Sequence, residues 1–130
     1  ILRGVVIERV PVMNKDSLLM SESDHERIAT VAGVYADSHD GLIVTHGTDR
    51  LQFTGEKLCE RLSSSPRVPI VLTGAMVPYA FGSSDGLFNL GAALAYAQAM
   101  PPGVWVAMNG TAFPYGAVRK DRRRGRFVPA

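Results

Sequence analysis

A three-layer, doubly wound, mainly parallel α/β sheet is the fold predicted by this 130-residue sequence. Three observations predict it. Gly41-Leu42-Ile43-Val44 and the run from Val68 to Leu72 are short and continuously apolar, as strands buried on both faces of a parallel sheet must be. Between them Leu51, Leu58 and Leu62 recur at helical spacing. Along the whole chain, strand-like and helix-like segments alternate as β-α-β-α-β-α-β, which implies right-handed crossovers and helices on both faces.

The elements follow in order. Val5 to Val12 is rich in β-branched residues and reads as a strand. Asn14 to Ser17 is a polar loop. Ser21-Glu22-Ser23-Asp24 has the spacing of a capping box, and Ile28, Val31, Ala32 and Tyr35 continue at helical period until Asp37 to Asp40 end the helix. The strand at Gly41–Val44 runs into Thr45-His46-Gly47-Thr48-Asp49. The second helix closes at residues 63–66. After the strand ending at Leu72 comes Thr73-Gly74-Ala75-Met76 and a loop up to Ser84. Leu87, Leu90 and Leu94 mark a third helix, stopped by Pro101-Pro102. Val104 to Met108 is the last strand, and the remainder reads as loop or tail. No composition shift suggests a second domain, so residues 1–130 are taken as one unit.

Composition excludes several classes. Hydrophobic residues make up 46% of the chain, too many for disorder. The single cysteine, Cys59, permits no internal disulfide and suits a reducing cytoplasm. No apolar run approaches the roughly 18–20 residues of a membrane span. No signal peptide is visible, and the chain begins at Ile1, so a chain truncated at its N-terminus is expected. Net charge is only +2, yet Arg119, Lys120, Arg122, Arg123, Arg124 and Arg126 crowd into the end. Residues 119–130 read as a solvated basic tail. From Arg119 to Arg126 aromatics that would stack bases are missing, which argues against nucleic acid as a partner.

Ligands of doubly wound sheets bind at the carboxyl ends of the strands, which directs attention to the loops after Val12, Val44, Leu72 and Met108. Gly47 lets the backbone turn sharply or approach a ligand. Thr48 or Asp49 would cap the next helix, where amides point at an anion or a developing oxyanion. The alternative is a plain strand-to-helix turn with a good N-cap. Asp85 reads as the cap of the third helix, and Ser17 alone is an ordinary loop serine. His25, His39 and His46 have no metal-like spacing with one another or with Cys59, and no phosphate loop occurs, so neither metal nor nucleotide cofactor is expected.

Taken together, the segments resemble the bacterial-type L-asparaginase family, in particular its small single-domain members. The resemblance rests on Lys15-Asp16-Ser17-Leu18, Val44-Thr45-His46-Gly47-Thr48-Asp49, Val71-Leu72-Thr73-Gly74-Ala75-Met76, Ser84-Asp85-Gly86 with Asn89, Met108-Asn109-Gly110 and Val118-Arg119-Lys120. It implies a homo-oligomer that hydrolyses a small amino-acid amide, asparagine to aspartate and ammonia, through an acyl-enzyme on threonine and without a cofactor. Thr48, Asp49 and Lys120 would form the catalytic group, with Lys120 as proton carrier tuned by Asp49. Ser17, Gly47, Thr48, Asp49 and Ala75 would bind substrate: Ser17 its α-carboxylate, Asp49 its α-ammonium, the Thr48 N–H its oxyanion.

Three departures from the family pattern stand out. Its first strand ends in Thr-Gly-Gly-Thr, bearing the nucleophile, and no such motif occurs here. Leu18 and Leu19 stand where a glutamine and an acidic residue are common. Nothing in these residues is expected to form the second domain of the larger enzymes. The first strand is therefore expected to be missing. The chain made alone is expected to be weakly stable, to associate through exposed edges and to lack amidase activity. A degenerate domain that binds a small amino acid is the alternative reading, and nucleic-acid association through the arginines a weaker one.

Overall fold

Strand Pro69–Thr73, here β2, is buried along its whole length and explains the layered architecture. Successive side chains of a strand point to opposite faces. Ile70 and Leu72 enter one core with Ala29, Ala32, Leu51 and Leu58, whereas Val71 enters another with Ala93, Ala97 and Ala107. The computed structural model describes residues 4–62, 66–77, 83–121 and 123–130. In it β1 (Leu42–Thr45), β2 and β3 (Gly103–Met108) are parallel and adjacent, and β4 (Thr111–Pro114) adds antiparallel to β3. Helices α1 (Glu22–Ala36) and α2 (Leu51–Arg61) cover one face and α3 (Gly86–Ala99) the other. This is the expected three-layer, mainly parallel sheet.

Local chemistry sets the helices. Ser21 caps α1 by accepting from the Asp24 N–H, and the Asp24 carboxylate accepts from the Ser21 N–H, so the capping box forms. In α2, Leu51, Thr54, Gly55 and Leu58 are buried at the i, i+3, i+4, i+7 positions of one face. The third helix differs from expectation. Its buried positions are Asn89, Ala93 and Ala97, while Leu87 and Leu90, whose spacing announced it, are exposed, Leu87 at 66%. A helix apolar all round has no preferred face by pattern alone. Small residues face the sheet here.

Two further expectations are corrected. Residues Val5 to Val12 form no strand; Val6 is 97% exposed. High β-propensity does not make a strand without a partner to complete its hydrogen bonds. Conversely, the stretch read as loop and tail is folded. Asn109 (φ 54°) and Gly110 (φ 75°) turn β3 into β4, as a two-residue hairpin with both central residues at positive φ requires. Beyond them β5 (Val118–Asp121) and β6 (Arg126–Pro129) form a second hairpin. Val118 and Phe127 enter the core beneath α1 and α2, so the basic segment is anchored by apolar burial, not solvated throughout. Residues 1–3, 63–65, 78–82 (part of the loop before α3) and 122 lie outside the described residues.

Candidate active site at the carboxyl ends of the strands

The loop after β1 and the second hairpin meet at the carboxyl end of the sheet. On β5, Val118 and Lys120 share a face, two residues apart. Val118 is buried in the core and carries Lys120 with it to the end of β1. There the Lys120 ammonium donates to Thr48 Oγ1 at 2.8 Å and to Asp49 Oδ1 at 2.8 Å. The Lys120 and Asp49 side chains retain 16% and 23% of their exposure, so the pair is partly screened from water. Thr48 is buried. Three polar residues separated by as many as 72 positions thus converge.

Neither Thr48 nor Asp49 stands at the N-cap position of α2, contrary to expectation. Its N-cap is Arg50, without a side-chain capping bond. The Asp49 carboxylate is engaged by Lys120 instead. Asp85 also departs from its expected role. It stands at the N-cap of α3 but makes no side-chain cap bond there. Its carboxylate accepts from the N–H groups of Met76 and Val77, at 3.1 and 3.0 Å. Burial opposes its ionisation, but these backbone hydrogen bonds outweigh burial and hold the carboxyl below its usual range.

Ser17 and Gly47 are packed together. A Cβ on Gly47 would lie 2.7 Å from Ser17 Oγ, so only glycine fits. Ser17 is 1% exposed, and its hydroxyl oxygen has no hydrogen-bond partner. Ala75 follows β2, and its neighbour Gly74 abuts the Thr48 methyl, 3.2 Å from the position of a Gly74 Cβ. The Ala75–Met76 peptide is fixed by Asp85 through the Met76 N–H, which turns the Ala75 carbonyl the opposite way. Asn89 donates to the Gly74 carbonyl at 2.8 Å and to Asp85 at 3.0 Å, tying this loop to α3.

Sequence reasoning missed a polar network beneath the site. The hydroxyl of Thr54, on the buried face of α2, lies 2.6 Å from His25 Nδ1 and 2.7 Å from His46 Nε2. The two rings stack at 5.8 Å. His46 Nδ1 reaches the Gly47 carbonyl at 2.7 Å. Two of the three carried a signal, since each is a polar side chain on the apolar stripe of its own helix: His25 with Ile28, Ala29 and Ala32, Thr54 with Leu51 and Leu58. A cleft of about 450 Å³, lined by Thr30, Gly33, Val34, Asp37, Arg61 and Leu62, lies at the C-terminal ends of α1 and α2 and holds none of these groups.

Burial is the main influence on both histidines and pushes their pKa values below 6.5; the Gly47 carbonyl partly offsets this at His46. A folded-state pKa below the unfolded value means the unfolded chain binds more protons as pH falls. The associated stability is complete above about pH 6.5 and is lost on acidification below it. The melting temperature is therefore expected to hold between pH 8 and 7 and to fall by several degrees between pH 6.5 and 5. Asp24, held near 2 by Lys15, titrates too low to contribute in this window. A melting temperature unchanged from pH 7 to 5 would contradict the assignment of two neutral, buried imidazoles.

A doubly wound α/β domain with a lysine, a threonine and a carboxylate gathered at its strand ends defines the class. Comparison with known proteins gives the family. A profile described as "Asparaginase, N-terminal" matches residues 2–125, and the chain belongs to that family. It is 38% identical over 104 residues to the L-asparaginase of Thermococcus kodakarensis, covering 80% of this chain and 31% of that protein. A solved structure titled "The thermostable L-asparaginase from Thermococcus kodakarensis" superposes with a TM-score of 0.88 at 32% identity, over 97% of this chain and 39% of that one. The chain is also 32% identical over 100 residues to one polypeptide of the Glutamyl-tRNA(Gln) amidotransferase of Thermoplasma acidophilum, covering 75% of this chain and 24% of that protein. It thus spans well under half the length of these relatives. No helix among the described residues is long and apolar enough to cross a membrane.

Proposed function

We propose that this domain carries the proton-handling half of an amide-hydrolysing site acting on the side-chain amide of a small amino acid such as asparagine. The observation that carries the reading is the Lys120 ammonium held between Thr48 and Asp49. A hydroxyl is a poor nucleophile until a neighbouring base takes its proton. An ammonium has three donors and no acceptor, so Lys120 acts as such a base only once it has released one proton to solvent. Asp49 holds the nitrogen in place and compensates the charge formed when the proton arrives. The proton then passes to the leaving nitrogen, the amide C–N bond breaks, and ammonia departs, leaving an ester on threonine that water hydrolyses.

No Thr-Gly-Gly-Thr occurs in the 130 residues. Thr48 is accordingly either the attacking hydroxyl or the relay for a threonine supplied by another segment or another copy of the chain. Ser17, with its buried unpartnered hydroxyl beside Gly47, would meet the α-carboxylate, and Ala75 the amide. The domain would work within a homo-oligomer, which would cover the exposed Leu87, Phe88 and Leu90 of α3.

Ammonia release from L-asparagine by the full-length protein tests the reading, with L-glutamine as comparison. Turnover that collapses in Lys120→Met supports it; equal turnover in that variant sinks it. Light scattering on the same samples should give a mass above that of one chain. A second reading, amino-acid binding without chemistry, is favoured by the missing motif together with the intact Ser17–Gly47 contact. It would be chosen if L-asparagine binds and no ammonia appears.

A further inference from the structure

We infer that His46 is a positioning residue: held in one tautomer through Thr54, it locks the Gly47–Thr48 peptide so that the Thr48 N–H faces away from the ring, as an oxyanion donor. This deepens the amidohydrolase reading and rests on it.

The tautomer follows from which atoms can donate. The Gly47 carbonyl only accepts, so the contact at 2.7 Å requires a proton on His46 Nδ1. In a neutral ring Nε2 is then bare and must accept, and the Thr54 hydroxyl at 2.7 Å donates to it. That spends the only proton of the hydroxyl. Its oxygen therefore accepts from His25 Nδ1 at 2.6 Å. The chain of donors runs in one direction, from His25 to Thr54 to His46 to the Gly47 carbonyl. Thr54 is fully buried and His25 and His46 nearly so, so competing water is excluded.

Gly47 explains why such a device is needed. Ser17 stands so close that residue 47 must lack a Cβ. Glycine, however, leaves its peptide free to rotate. The Gly47 C=O and the Thr48 N–H belong to one planar trans peptide and point in opposite directions. Anchoring the carbonyl on the His46 ring thereby fixes the amide on the side away from it. A preorganised donor needs no reorganisation as charge develops on the substrate oxygen.

The test separates this role from general stability. Asparagine at position 46 can set an amide N–H near the place of Nδ1; glutamine extends to that of Nε2 and leaves the Gly47 carbonyl unheld. In the full-length protein His46→Asn should keep kcat within about threefold. His46→Gln should lose about 10–100-fold in kcat with KM nearly unchanged, part of the roughly 10²–10³ that a lost oxyanion donor costs. Thr54→Val should also lower kcat and Thr54→Ser restore it. A His46→Gln enzyme with wild-type kcat, or an equal loss in both His46 variants, would overturn the inference. Long-range ¹⁵N–¹H spectra of the unsubstituted protein near pH 7.5 decide independently of variant folding and of activity. A neutral His46 protonated on Nδ1 is expected, and protonation on Nε2 overturns it. If no amide is hydrolysed, the functional reading fails while the spectrum still reports on the tautomer.

Discussion

Asp49→Ala in the full-length protein is expected to reduce amide turnover by roughly 10²–10⁴-fold, the usual contribution of a positioned acid–base group. Asp49 is the only partner among the described residues seen to pair with the Lys120 charge, at 2.8 Å. Without it the ammonium keeps its hydrogen bond to Thr48 but loses the carboxylate that fixes its position and balances its charge. Lysine's long side chain then samples other rotamers, and the near-attack geometry is lost. The fold should survive. An exposed ion pair contributes about 0–1 kcal/mol and breaking a fully buried one costs about 3–5 kcal/mol. This pair, partly screened, lies between, at about 1–2 kcal/mol. The N-cap position of α2 is Arg50, so the substitution leaves the capping position itself unchanged. Asp49→Asn, which keeps the shape without the charge, should be nearly as inactive. Circular dichroism melts paired with ammonia assays decide the matter: a folded variant with wild-type kcat at saturating asparagine would remove Asp49 from the mechanism.

What could be read beforehand, and what could not, follows from where each signal resides. The runs at Leu42–Val44 and Ile70–Leu72 announced parallel strands because burial on both faces requires unbroken apolar sequence. The Ser21–Asp24 box is a contact over three residues and was equally visible. The segment from Val5 to Val12 misled because strand formation depends on a partner, not on β-branching alone. The Asn109-Gly110 hairpin did carry a local signal, a positive-φ pair followed by Thr111-Ala112-Phe113, but the density of Arg and Lys beyond it suggested a tail. In fact Phe127 and Val128 are buried between exposed Arg126 and Pro129, so the apolar residues that anchor the strand were there to be seen. The convergence of Thr48, Asp49 and Lys120 was anticipated only through the family resemblance, since nothing local links position 48 to position 120. The His25–Thr54–His46 network joins residues 29 positions apart or less, yet it depends on how α1 packs on α2 and was invisible in either helix alone.

Among the described glycines, Gly74→Ala should be the most destabilising alanine substitution. Gly74 follows β2 just where the β1 chain leaves the sheet, and the ladder continues one step beyond the strands through the His46 N–H donating to the Thr73 carbonyl at 2.9 Å. That bond draws the two backbones together. A Cβ at position 74 would collide with the His46 carbonyl oxygen and press on the Thr48 methyl at 3.2 Å. The first obstacle is backbone, which cannot move aside by changing a rotamer. Relief requires the β1 and β2 ends to separate, which weakens the 2.9 Å bond and shifts His46, Gly47 and Thr48 together. Overpacking in a tight interior costs typically about 1–3 kcal/mol, and against backbone the upper end is expected, about 3 kcal/mol. At roughly 2–8 °C per kcal/mol for domains near this size, the melting temperature should fall by about 10 °C. Activity should fall as well, because the displaced residues include the hydroxyl bonded to Lys120. Gly91→Ala on α3 is the control: nothing lies within 4 Å of the added methyl, and alanine favours helix by about 1 kcal/mol, so its melt should rise slightly. If both variants melt with the wild type, the close approach of the loops after β1 and β2 is wrong, and with it the placement of Gly74 against Thr48.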